Sequence, residues 1–187
     1  MGNVRILEVK QSIFESNDKQ AALLREELKK DGVFLLNLMS SPGSGKTTTL
    51  TRTIEALKDD LKIGVMEADI DSDVDAETIL KTGAKAIQLH TGGMCHLDAD
   101  MTGQGLKGLG TDDVELVILE NVGNLVCPAM FDLGESKKVV IVSTTEGDDK
   151  PLKYPHIFQE ADICVINKID LAPYLNTKVE VLRENAL

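Results

Sequence analysis

The chain has 187 residues, with 20 Lys and Arg against 31 Asp and Glu, and a formal net charge of −11. That length favours one domain with a full hydrophobic core, and 42% hydrophobic with 27% charged residues is ordinary for a globular protein. So acidic a chain argues against general binding of nucleic acid or anionic membrane, and no apolar run approaches the roughly 20 residues that cross a bilayer. No charged-then-apolar leader opens it. Three cysteines, odd and few, suit a reducing compartment, so a single cytoplasmic domain over residues 1–187 is expected.

Residues 8–30 read as a helix, with Ile13, Ala21, Leu24 and Leu28 near helical spacing and Asp31-Gly32 as the stop. The period then changes. Residues 33–39 form a continuous apolar run, as a strand buried on both faces does in a parallel sheet. Similar runs follow at 62–66, 86–89, 114–119, 139–142 and 163–166, with helical stretches at 45–58, 72–82, 98–108 and 176–185. Strand and helix alternating in this way predict an α/β fold: a doubly wound, mainly parallel sheet with helices on both faces.

The first strand runs into Ser40-Ser41-Pro42-Gly43-Ser44-Gly45-Lys46-Thr47-Thr48 and then a helix. Gly45-Lys46-Thr47 fit the phosphate-loop pattern, while Ser40 stands where the first glycine is usual. Gly43 and Gly45 let successive N–H groups turn toward phosphate oxygens, Lys46 supplies a point charge and the Thr47 hydroxyl suits magnesium. An ordinary glycine-rich turn is the bland alternative, and the strand before and helix after argue against it. This makes the chain a P-loop nucleotide-binding protein.

Asn167-Lys168-Ile169-Asp170 follows the last strand and matches the NKxD pattern that reads guanine. Asp170 accepts from the N–H edge of guanine, which adenine lacks, so a buried carboxylate there rejects the wrong base. Asn167 bridges loops, and the stem of Lys168 covers the base. GTP and GDP are therefore the expected ligands. Asp69, at the end of the second strand, is the first candidate for magnesium and Asp75 the second, although most charges in the acidic run after Asp69 read as helix N-terminal residues. Glu120-Asn121-Val122-Gly123 resembles a DxxG element with Glu for Asp, so that Glu120 holds magnesium through water and the Gly123 amide senses the γ-phosphate. Asn124 stands where many GTPases place a water-orienting Gln. With only four arginines and none near this site, slow intrinsic hydrolysis is expected.

Cys95-His96 lies in a glycine-rich loop after the third strand, and Cys127-Pro128 follows Glu120. In a parallel sheet these loops leave the same edge as the phosphate loop, so Cys95, His96 and Cys127 can converge on nickel or zinc. A fourth ligand would be water, Asp98 or a residue of a second subunit. Free Cys is also commonly a small core residue, and residue chemistry leaves the two readings balanced. Cys164, inside a strand, is assigned to core packing. His90 and His156 are assigned to the surface or loops.

Taken together, Ser40–Thr48, Cys95-His96-Leu97-Asp98-Ala99, the Glu120–Pro128 segment and Asn167–Asp170 resemble the HypB family, hydrogenase nickel-incorporation GTPases of the SIMIBI class. The resemblance implies nickel or zinc at Cys95, His96 and Cys127, at or near a homodimer interface. It also implies GTP-dependent nickel delivery in [NiFe]-hydrogenase maturation, with a HypA-like zinc accessory protein and the hydrogenase large subunit as partners. Relative to that pattern, no Cys-rich or His-rich stretch precedes the helix at 8–30, and the terminal strand and helix are expected to be missing after Leu187. A urease-type nickel chaperone is the nearest alternative, but its Cys-Pro-His ligands differ from Cys127-Pro128-Ala129. A shortened scaffold that binds nucleotide or metal without turnover is the other.

Overall fold

The computed structural model describes residues 9–69 and 79–187. Helix α1 (Val9–Asp31) precedes β1 (Phe34–Ser40), α2 (Lys46–Leu57), β2 (Ile63–Asp69), β3 (Lys85–His90) and α3 (Ala99–Leu109). Then come β4 (Leu116–Glu120), β5 (Lys137–Ser143), α4 (Lys150–Lys153), α5 (Pro155–Glu160), β6 (Ile163–Asn167) and α6 (Val179–Ala186). Three short 3-10 turns lie at Cys127–Met130, Thr144–Glu146 and Ile169–Tyr174. The turns and the pair α4–α5 carry too few periodic residues to register in the sequence pattern. Of the helix expected over 72–82, the part from 72 to 78 lies outside the described residues, as does Asp75.

The six strands form one sheet in the order β3-β2-β4-β1-β5-β6, every pair parallel. Side chains alternate between its faces. Leu35, Val117, Leu119 and Met66 face α1 and α3 through Leu28 and Leu106, with Leu97 of the loop before α3 in the same cluster. Leu38, Ile118 and Val65 face α2 through Leu50 and Ile54 on the other side. A third cluster, with Met39, Val140 and Val142, packs under Ile157, Phe158 and Leu182. Sealing both faces is what continuous apolar strands require, each fully buried Leu or Ile contributing about 1.5–3 kcal/mol.

The two outermost strands depart from expectation. Residues 86–89 and 163–166 were expected to be buried on both faces, yet β3 is at most half-buried and Ile163 is 52% exposed. Each has a neighbour on one side only, and an apolar run does not distinguish an edge strand from a central one. The assignment of Cys164 to the core is corrected for the same reason: it sits on β6 and is exposed.

Candidate functional site

Because all strands are parallel, the loops after β1, β3, β4, β5 and β6 emerge at one edge of the sheet. A cavity of about 540 Å³ opens there, walled by residues of the 42–48 turn, Glu67, Ala68, the 120–123 segment and Lys168. Its floor is the turn between β1 and α2. Gly45 has φ 99°, and a Cβ there would lie 2.5 Å from Asn167 Nδ2. Only glycine satisfies both conditions. Ser40, in place of the usual glycine, is fully buried and uses its hydroxyl: it accepts from Lys46 Nζ at 3.1 Å and Ser44 Oγ at 2.6 Å.

The residues expected to read the base brace this turn from the other side. Asn167 Nδ2 donates to the Ser44 carbonyl at 2.9 Å, and Lys168 Nζ donates to the Gly43 carbonyl at 2.7 Å. Lys168 itself adopts a left-handed backbone, φ 56°, with its carbonyl taking a bond from Thr144 Oγ1 at 2.6 Å. Asp170 is exposed at the start of the Ile169–Tyr174 turn.

At the opposite wall Thr47 Oγ1 donates to Glu120 Oε1 at 3.0 Å. Glu120 and Glu67 are in register on adjacent strands, buried, and both line the cavity. A hydroxyl beside carboxylates is the hard, oxygen-only donor set that suits magnesium. Of the acidic residues that close β2, the sequence reading preferred Asp69 to Glu67; the signal for Glu67 was parity, since it shares a sheet face with Glu120. Asp69 is placed as the last residue of β2, in register with His90. Gly123 sits tightly against Pro42: a Cβ there would lie 3.1 Å from Pro42 Cγ and 3.2 Å from its backbone N. The loop after β4 therefore lies directly on the phosphate turn.

That same loop reaches the cysteines. Cys127 Sγ is 2.8 Å from Cys95 Sγ, and His96 Nδ1 is 3.8 Å from Cys95 Sγ. The three donors lie within 4.8 Å of one another, with Cys95 at the surface. The adjacent Cys95 sulfur, and then burial, push the Cys127 thiol above its ordinary range. Two sulfurs and an imidazole are suitable donors for nickel or zinc. Asp98 is not in this group: it caps α3, its Oδ1 accepting from Met101 N–H at 2.8 Å. Asn124 Oδ1 accepts from the N–H groups of Val126 at 2.7 Å and Cys127 at 3.3 Å, shaping the turn that carries the thiol. His90 and His156 are exposed.

Two supports were invisible in the sequence. The His96 ring stacks on Phe131, centroids 4.1 Å apart and 10° between planes, and Phe14 of α1 packs on Phe131 at 5.1 Å. Asn17 of α1 donates to the Asp132 carbonyl at 2.8 Å and accepts from Ala99 N–H at 2.9 Å, tying the two ligand-bearing segments together from behind.

Comparison with known proteins finds relatives that match along most of the chain. The model of the CobW/HypB/UreG nucleotide-binding domain matches residues 34–187. A hydrogenase maturation factor HypB from Rhizobium leguminosarum bv. viciae is 51% identical over 187 residues, which is 100% of this chain and 62% of that protein. The chain thus spans about three fifths of that relative's length. HypB of Helicobacter pylori, solved in complex with nickel, superposes with a TM-score of 0.84 at 42% identity, covering 91% of this chain and 80% of that one. HypB of Archaeoglobus fulgidus gives 0.86 at 45% identity, covering 92% and 84%. Among the described residues, no helix is long and apolar enough to cross a membrane.

Proposed function

The chain belongs to the HypB family within the CobW/HypB/UreG nucleotide-binding domains, and from that premise we propose that it is a GTP-hydrolysing nickel metallochaperone acting in [NiFe]-hydrogenase maturation. The observation that carries this reading is one loop with two duties. Its Glu120–Gly123 segment lines the nucleotide cavity, and Cys127, farther along, meets Cys95 at 2.8 Å. A change of nucleotide state that rearranges this loop alters metal affinity, and linkage makes the effect reciprocal.

In this reading Pro42, Gly43, Ser44, Gly45 and Thr48 shape the phosphate site, Lys46 holds the outer phosphates, and the Gly123 amide senses the γ-phosphate. Thr47 and Glu120, with Asp69 or Asp75, would hold magnesium, which would supply charge neutralisation to the phosphates. Asn167, Lys168 and Asp170 select guanine. Cys95, His96 and Cys127 take nickel, with zinc as the competing ion, and a second copy of the chain completes a homodimer over this corner. A HypA-like zinc protein and the hydrogenase large subunit are the partners, and turnover is slow. The nickel complex of the H. pylori relative supports the choice of cargo.

The test is steady-state phosphate release with GTP and ATP. GTP should be preferred, and Lys46→Ala should lower turnover by about 100-fold or more, as removal of a preorganised charge-stabilising group does. Turnover retained in that variant would overturn the hydrolase reading and leave a binding scaffold.

A further inference from the structure

Cys127 belongs to the nucleotide-facing loop, but Cys95 and His96 sit on the loop after β3, and β3 is separated from β4 by β2. A second connection is needed if nucleotide state is to reach the whole ligand set. We infer that the buried chain Asn121–Asn37–Glu135 transmits the position of the nucleotide-facing loop to His96 by way of Phe131, making Asn37 and Glu135 positioning residues for the nickel site. This rests on the nickel and nucleotide reading above.

The chain of bonds is continuous, and its donors converge on the Glu135 carboxylate from both ends. Val122 N–H donates to Asn121 Oδ1 at 2.8 Å, and Asn121 Nδ2 donates to Asn37 Oδ1 at 3.0 Å. Asn37 Nδ2 then donates to Glu135 Oε1 at 3.1 Å, and Leu133 N–H donates to Glu135 Oε2 at 2.7 Å. Asn37 is 0% exposed, Asn121 1% and Glu135 5%. A carboxylate accepts at both oxygens, so Glu135 fixes which way the Asn37 carboxamide points. Asn37 in turn fixes Asn121, and Asn121 holds the amide of Val122, a residue that lines the cavity. The link between Asn121 and Asn37 is almost wholly shut off from solvent, so a displaced loop draws its partner along or leaves a buried polar group unmade.

The far end is equally tied down. Glu135 closes a short segment that begins at Phe131, whose ring stacks on His96. Between them, the Asp132 carboxylate takes the Gly134 N–H at 2.9 Å and pairs with Arg25, while Asn17 holds the Asp132 carbonyl. A shift at Glu135 is thus delivered to the Phe131 ring and not dissipated within a loose loop.

Nickel dissociation constants of the full chain, measured with magnesium plus GDP and again with a non-hydrolysable GTP analogue, test the relay. In the wild type the two should differ by about tenfold, a typical coupling between linked sites. Glu135→Gln keeps the shape but presents an NH2 to one of two donors, so the chain must reverse or break. Phe131→Leu removes the stack at the far end and serves if Glu135→Gln fails to fold. Both should bring the ratio to within about twofold of unity while GTP affinity is kept. A wild-type ratio in both variants would overturn the inference. Magnetic resonance signals of the His96 ring in the nickel-free protein are read in parallel. A wild-type response to nucleotide that the variants lose supports the relay, and an unresponsive or variant-insensitive ring overturns it. Equal nickel affinities in the wild type, with a responsive ring, would count against the proposed function and not against the relay.

Discussion

The nucleotide cavity and the cysteine–histidine cluster share one sheet edge, and even one loop, yet they are built in opposite ways. The first is mainly backbone: a contiguous turn, 42–48, folded over left-handed glycines and leading into α2. The second is entirely side chains, brought from two loops far apart in sequence and backed by Phe131 and Asn17. A site made of backbone fails when a Cβ is added, and a site made of side chains fails when an atom is taken away.

Paired substitutions make that contrast testable. Cys95→Ala should lower nickel affinity by more than about 100-fold, since even groups that only support a ligand are worth 10–100-fold, while GTP affinity is unchanged. Gly45→Ala should do the converse. Its φ of 99° and the 2.5 Å approach to Asn167 weaken GTP by roughly tenfold to a hundredfold with nickel affinity kept. Isothermal titration with each ligand checks both, and a variant that loses both affinities would dissolve the distinction.

Acid sharpens the comparison further. Nickel takes thiolate, and the Cys127 thiol is pushed up by Cys95 and by burial, so binding must displace a proton. Affinity should therefore rise with pH above neutrality, by up to about tenfold per unit for each proton released, until the thiol range is passed. Nickel affinity constant between neutral and alkaline pH would argue that the thiols do not ligate.

The smallest effect expected is in the scaffold behind the cluster. Burial raises the Asp132 carboxyl, but the Gly134 N–H, Glu135 and Arg25 outweigh it and leave the group below its usual 3.8. A depressed folded value stabilises above the unfolded one and is lost as pH falls through the folded one. Arg25→Ala should cost about 1 kcal/mol at neutral pH, modest because Arg25 is 39% exposed. The difference from wild type in thermal melting should shrink once the pH drops below 3.8.

How much of this was legible follows from the same contrast. The strand–helix alternation and the 40–48 turn are local in sequence, so spacing alone gives the parallel α/β fold and its phosphate loop. Glu67 needed face parity across two strands, which a reading of single segments does not supply. Edge position misled for β3, β6 and Cys164, because burial depends on the number of neighbouring strands and not on apolar content. The Asn17–Asp132 contact joins residues 115 positions apart, and Asn37–Glu135 spans 98. Before folding, each of those asparagines is only another polar residue in an apolar or helical stretch.

The bracing of the phosphate turn has a thermodynamic side. With the Gly43 and Ser44 carbonyls held by Lys168 and Asn167, and the Lys46 ammonium on Ser40, the turn has little freedom left to lose when an anion arrives. Its ordering belongs to the folding of the sheet, not to association. Under the proposed base-reading role, the two ends of one ligand cooperate: whatever loosens Asn167 or Lys168 slackens the cradle at the other end, so discrimination between bases and grip on the phosphates should weaken together.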